Sequence, residues 1–184
     1  DLARVLKRLV RWRITVKLSK CLFCGKSMPY LGFLVRVGEG ITVDLDKIKS
    51  ILSARAPETV TQVRGFIGAM NFYAKFIPNF ASLADQVRSV IKGKTKRMSV
   101  KAEWEADPMC EAAFRVLKAA LASAPILVFP DFSKPFTVVA DVSKSARQAG
   151  AVLVQYDSDG IERPVAYMSK QLTDCELKYT IQDL

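Results

Sequence analysis

Histidine is absent from the 184 residues of this chain. Without an imidazole to take a proton, no Ser–His or Cys–His nucleophile can be assembled. Cys21 and Cys24 form one Cys-x-x-Cys, while Cys110 and Cys175 stand far along the chain. A closed zinc site takes about four N or S ligands, and a second Cys-x-x-Cys is missing. A redox pair of the thioredoxin kind sits in a βαβ unit, and no such pattern surrounds Cys21. The four cysteines therefore read as ordinary buried or half-buried thiols of a reducing compartment. No Asp-Asp pair occurs anywhere. Asp141, ending a β-forming run, reads on local evidence as a strand-end turn residue.

The strongest chemical signal is charge. The net charge is +10, and residues 1–101 hold 20 of the 28 Lys and Arg but only 6 of the 18 acids. A basic stretch of this kind suits a polyanion, because each phosphate it neutralises releases condensed counterions. A solvated basic face kept for solubility is the alternative. An anionic membrane surface is disfavoured, since the basic residues are spread over several segments rather than along one amphipathic helix. No run reaches the roughly 18 apolar residues of a transmembrane helix. Half the residues are hydrophobic and a quarter charged, a globular composition. The chain starts at Asp1 with no signal-peptide pattern and stops at Thr180-Ile181-Gln182-Asp183-Leu184, an apparent helix opening, so a fragment is expected.

Several elements must position these groups. Leu2, Val5, Leu6 and Leu9 repeat at helical spacing between Arg and Lys, predicting a basic amphipathic helix. Ile14–Leu18 alternates like a short strand. Tyr30–Val37 is a second strand candidate, with Gly25–Pro29 as the connection and Gly38-Glu39-Gly40 as the following turn. Three helices follow. Asp44 caps the first, which Ala56-Pro57 ends. Thr59 or Thr61 caps the second, running through Val63, Phe66, Ile67, Met70 and Phe72-Tyr73. Pro78-Asn79 starts the third, through Val90 and Ile91. After the basic stretch Lys92–Arg97 a fourth helix spans Pro108 to Leu121. Then Phe136–Asp141, Gly150–Tyr156 and Pro164–Ser169 read as three consecutive strands of an antiparallel meander, with a turn at Tyr156–Gly160.

Taken in order, certain residues resemble a known family. They are Tyr30-Leu31-Gly32-Phe33, Gly40-Ile41, Pro57, Arg64-Gly65-Phe66-Ile67-Gly68 and Asn71 through Phe80. Trp104, Ala113-Phe114, Leu117-Lys118, Leu121 and Ser123 through Leu127 continue the match. Pro130 through Phe136, Asp141, Gly150 through Leu153 and Pro164 through Leu172 complete it. The run is similar to the region after the polymerase palm in reverse transcriptases of gypsy-type LTR retrotransposons, collinear over essentially the whole chain.

The resemblance implies an α+β fold. Residues 1–37 would be the end of the palm, with Tyr30, Leu31, Gly32 and Phe33 in a primer-grip hairpin. Residues 38–100 would be a helical thumb bundle, and 101–130 a connecting helix and linker. Residues 131–184 would begin a truncated RNase H-like mixed sheet with three antiparallel strands. Gly32 suits a close approach of backbone to nucleic acid, or an ordinary hairpin. Gly65 and Gly68, each costing about 1 kcal/mol in a helix interior, suit close approach to a duplex groove or tight helix packing, the latter slightly favoured on spacing. Gln62 and Arg64 could reach the phosphate backbone. The aromatic cluster Phe66, Phe72, Tyr73, Phe76 and Phe80 reads as bundle core rather than a stacking surface.

The family's polymerase and RNase H activities each need carboxylates holding two Mg2+ ions. The polymerase pair would lie upstream of Asp1. The resemblance makes Asp141 the first RNase H metal ligand. The helix glutamate of that site would follow Leu184, and Asp183, two residues earlier, would be turned away by roughly 200°. One carboxylate cannot hold two ions, so this stretch alone is expected to catalyse neither reaction. Ala140-Asp141-Val142-Ser143 replaces the family's usual Thr-Asp-Ala-Ser, and the step to Gly150 is about two residues long by comparison. Those departures leave open a degenerate, non-catalytic domain. The expected parent is an RNA-directed DNA polymerase with RNase H activity in a retrotransposon polyprotein, intracellular, in a cytoplasmic virus-like particle or the nucleus. Its partners would be an RNA–DNA hybrid or DNA template–primer and the rest of the polyprotein. The alternative is a decayed or domesticated nucleic-acid-binding or assembly module.

Overall fold

The structure is a computed structural model, described over residues 1–145 and 147–180. It opens with helix α1 (Leu2–Arg11), which buries none of its residues. The expected strand at Ile14–Leu18 does not form. That stretch has no neighbouring strand to pair with, and it stays exposed up to a single 3-10 turn at Leu18–Lys20.

The hairpin that follows differs from the predicted single strand. β1 (Ser27–Tyr30) and β2 (Phe33–Arg36) run antiparallel, with Tyr30 opposite Phe33, so the chain reverses at Leu31-Gly32. Both turn residues have positive φ, 49° and 84°, the pattern of a type I′ turn whose twist matches the flanking strands. Gly38 to Gly40 returns the chain into β3 (Gly40–Val43). Ile41 and Leu127 then exchange backbone hydrogen bonds of 2.7 and 2.8 Å. Gly40 allows that contact, since a Cβ there would lie 2.1 Å from the Leu127 carbonyl oxygen.

The helices start where their caps predict. Asp44 accepts from the Asp46 N–H at the head of α2 (Leu45–Leu52). Thr59, not Thr61, caps α3 (Val60–Asn71) in a reciprocal capping box with Gln62. Asp107 accepts from Met109 and Cys110 before α6 (Pro108–Ala122). α2 stops short of Pro57, and α4 (Phe80–Ser89) ends before Val90. A helix absent from the sequence expectations, α5 (Lys101–Ala106), buries Trp104.

One core joins the bundle. Ile48 of α2, Val63 and Met70 of α3, Val87 of α4, Leu117 and Leu121 of α6, and Leu127 beyond it are all fully buried. The second sheet is an antiparallel meander, as expected, of β4 (Thr137–Ser143), β5 (Gln148–Tyr156) and β6 (Glu162–Gln171). Among the described residues the fold is thus mixed helix and sheet with two three-stranded antiparallel sheets. Asp183 and the expected closing helix lie outside the described residues.

The meander docks on the bundle through β6. Tyr167 packs against the bundle core. Ala81, in the first turn of α4, donates its N–H to Ser169 Oγ at 2.8 Å. Gln171 Nε2 donates to Asp85 Oδ2 at 2.8 Å, and Val128 donates to the Pro164 carbonyl at 2.9 Å.

Candidate nucleic-acid interface and the Asp141 cleft

The tip of the first hairpin is pinned to the end of α3. Phe33 stacks on Phe72 with centroids 4.9 Å apart and planes 11° from parallel, and it meets Tyr73 edge-on at 5.8 Å. The Lys75 ammonium lies 4.3 Å from the Phe33 centroid. Burial pulls the Lys75 ammonium below its ordinary pKa and pushes the Tyr73 hydroxyl above its own. Tyr73 Oη donates to the Gly32 carbonyl at 3.4 Å. With the tip held, Tyr30 and Leu31 remain 58% and 71% exposed.

From that junction the outer face of α3 runs away along Phe72, Gly68 and Arg64, spaced i, i−4 and i−8 on one stripe. Phe72 is 52% exposed, while Phe66, Tyr73, Phe76 and Phe80 are buried. The core expectation therefore holds for four of the five aromatics. Phe72 departs from it because one more residue past Met70 carries it round to the outer face. The spacing from Gly68 was the signal that could have found it.

Gly65 and Gly68 decide between the alternatives left open for them. A Cβ on either would meet no atom within 4 Å, so neither glycine is there to admit a neighbouring helix, and the slight preference for tight packing is overturned. Gln62 has a local job. Its Oε1 accepts from the Glu58 and Thr59 N–H groups at 2.7 and 3.2 Å, closing the capping box. Arg64 and Gly68 line a groove of about 360 Å³ between α3 and α4, together with Asn71 and Arg88. Sequence reasoning did not single out Arg88.

Asp141 stands apart from this surface, on β4 directly opposite Gly150 of β5. Its side chain is exposed and lines a cleft of about 390 Å³ with Pro78, Asn79, Ser143, Gln148 and Tyr167. No lining side chain is basic. Among the described residues no three of His, Cys, Asp and Glu converge as metal ligands.

The thiols divide by exposure. Cys110 is buried, and desolvation pushes its pKa up to about 11. Cys21 is half-buried, while Cys24 and Cys175 are exposed, more open than expected.

Comparison with known proteins gives this geometry a context. Residues 106–184 match the family described as an RNase H-like domain found in reverse transcriptase. The chain is 35% identical over 176 residues to the retrovirus-related Pol polyprotein from transposon 297 of Drosophila melanogaster. It is 35% identical over 184 residues to that from transposon gypsy of the same species. The chain is a relative of gypsy-type retrotransposon Pol polyproteins. The two matches cover 96% and 97% of this chain but only 15% and 17% of those relatives. Among solved structures, a foamy viral protease-reverse transcriptase in complex with double-stranded DNA aligns over 99% of this chain and 30% of its own. Its TM-score is 0.81 at 24% identity. The same kind of enzyme in complex with an RNA/DNA hybrid aligns with a TM-score of 0.77 at 23% identity. Those likenesses show the fold. The expected family and three-stranded meander are borne out.

Proposed function

We propose that this Pol segment holds a template–primer duplex, RNA–DNA hybrid or DNA, through the first hairpin and the outer face of α3. In this reading the hairpin is the primer grip, α2 to α4 form the thumb, and residues 131–184 begin the RNase H domain of an RNA-directed DNA polymerase. The observation that carries it is the open space over Gly65 and Gly68. Two glycines in one helix cost about 2 kcal/mol against alanine, and no contact within the protein offsets that. A sugar–phosphate backbone lying along the helix would, because only a bare Cα lets the two come close. Arg64 on the same stripe supplies a phosphate contact, and Tyr30, Leu31 and Phe72 offer apolar surface to the sugars beside it. Gln62 serves this surface by holding the start of α3 in place.

Asp141 would be the first carboxylate of a divalent-metal nuclease site, the class of chemistry this family uses. The described residues do not fit two Mg2+ ions, since one carboxylate cannot hold both. Hydrolysis is accordingly not assigned to them, and the RNase H-like sheet here serves to hold rather than cut. The setting is intracellular, in keeping with four unpaired thiols.

Titrating the chain with a labelled RNA–DNA hybrid over a salt series with Mg2+ present, and scoring cleavage alongside, tests the reading. Binding should weaken with a log–log slope near −0.9 for each phosphate contacted, without cleavage. Cleavage would overturn the lone-carboxylate argument, and absence of binding at low salt would overturn the duplex-holding role.

A further inference from the structure

The Asp141 cleft has one wall that does not come from the RNase H-like sheet. Pro78 and Asn79 belong to the loop opening α4 of the helical bundle, yet both line the cleft. Asn79 is fixed there. Its backbone sits in the left-handed region at φ 55°, a conformation asparagine tolerates better than most residues. Gln148 Nε2 of β5 donates to Asn79 Oδ1 at 2.9 Å. The same oxygen lies 3.2 Å from where a Cβ on Gly150 would stand. Gly150 is the residue directly opposite Asp141, and paired residues in an antiparallel ladder are about 5 Å apart at Cα. The Asn79 amide is therefore about one residue's width from the Asp141 backbone. With Oδ1 turned to Gln148, the Asn79 NH2 group is left to donate elsewhere.

The chemistry of the cleft selects its ligand. A bare phosphate is disfavoured by an acid with no basic side chain beside it. A sugar hydroxyl suits the cleft, since it can donate to the Asp141 carboxylate and accept from an amide N–H. The hydroxyl that distinguishes one nucleic-acid strand from another is the ribose 2′-OH. Resting on the duplex-holding role given above, we propose that Asn79, reaching across from the helical bundle, reads a ribose 2′-hydroxyl in the Asp141 cleft. The chain would then prefer an RNA–DNA hybrid to DNA of the same sequence.

The test is the ratio of affinities of the whole chain for a hybrid and for the matching DNA duplex, measured at one low salt concentration. One net hydrogen bond predicts a wild-type preference of about 2- to 12-fold for the hybrid. Asn79→Gly keeps the left-handed backbone and removes the amide. Asn79→Asp keeps the acceptor for Gln148 and removes the donors. Both should bring the ratio to about 1, with thermal melts showing that each variant folds. Arg64→Ala should weaken both duplexes alike and leave the ratio unchanged. A wild-type ratio of 1, or a preference that survives both Asn79 variants, overturns the role of Asn79 while leaving the duplex-holding role intact. No binding of either duplex overturns both.

Discussion

Replacing Gly65 and Gly68 together by alanine separates what the protein fold wants from what its partner wants. Both positions lie on the outer face of α3, and both have open space where the methyl group would go. Nothing in the fold resists the change, so helix propensity alone sets its sign. Each Gly→Ala should stabilise by about 0.5–1 kcal/mol. For a protein of this size, 1 kcal/mol moves Tm by about 2–4 °C, so the pair should raise Tm by about 2–8 °C in a calorimetric melt. Duplex binding should go the other way. Two methyls inserted where a sugar–phosphate backbone lies against the helix amount to overpacking, at about 1–3 kcal/mol. At about 1.4 kcal/mol per factor of ten, anisotropy titrations should show affinity reduced by about 5- to 150-fold. A double variant that is more stable and binds as tightly as wild type refutes the close-approach argument. A less stable one refutes the claim that these faces are open.

Further expectations concern the supports of the two surfaces. Ser169→Ala removes the acceptor for the Ala81 N–H, and chemical denaturation should report a loss of about 0.5–2 kcal/mol, the usual worth of a helix cap. Gln155 is the buried polar side chain of the meander, bonded at both ends to the Asp131 backbone at 2.9 and 2.8 Å. Gln155→Leu should cost about 1–3 kcal/mol by stranding those groups. Glu176 takes a hydrogen bond from Lys170, then from Thr173, which hold its carboxyl at about 2 against an ordinary 4.5. A depressed folded-state pKa gives stability that is complete above about pH 4.5 and fades as pH falls towards 2. Glu176→Gln should flatten that limb of a Tm–pH profile, and an unchanged limb would rule out this source. Iodoacetamide at neutral pH should label Cys24 and Cys175 quickly and Cys110 only on unfolding, read by peptide mass. Fast labelling of Cys110 would contradict its burial.

Local chemistry made much of this legible in the sequence. Asp44, Thr59 and Asp107 each start a helix because each satisfies backbone donors a few residues ahead, and that requirement is written in consecutive residues. The three strands of the meander were visible as β-forming runs for the same reason. The hairpin was misread where turn geometry outweighs composition. Tyr30–Val37 looks like one strand until Leu31 and Gly32 both take positive φ, which leucine seldom does. Six-residue α5 was too short for periodicity to show. The remaining gaps are long-range. Ile14–Leu18 has strand composition but no partner. Asn79 meets Gln148 across 69 residues of sequence, and no local pattern announces such a pair. The openness of Gly65 and Gly68 likewise depends on where α2, α4 and α6 settle around α3.

The bond from Ala81 to Ser169 also bears on the order in which the chain can be completed. The acceptor lies 88 residues beyond the donor. At synthesis rates of roughly 5–20 residues per second, that separation is about 4–18 s on the ribosome. For that interval the head of α4 has its N–H group turned to water, and the bundle is one bond short of its finished form. Arrival of β6 closes the helix and seats the sheet in a single event. The bundle and the RNase H-like sheet are thus joined at birth, and a ribosome pausing between them would leave a bundle whose α4 frays at its first turn.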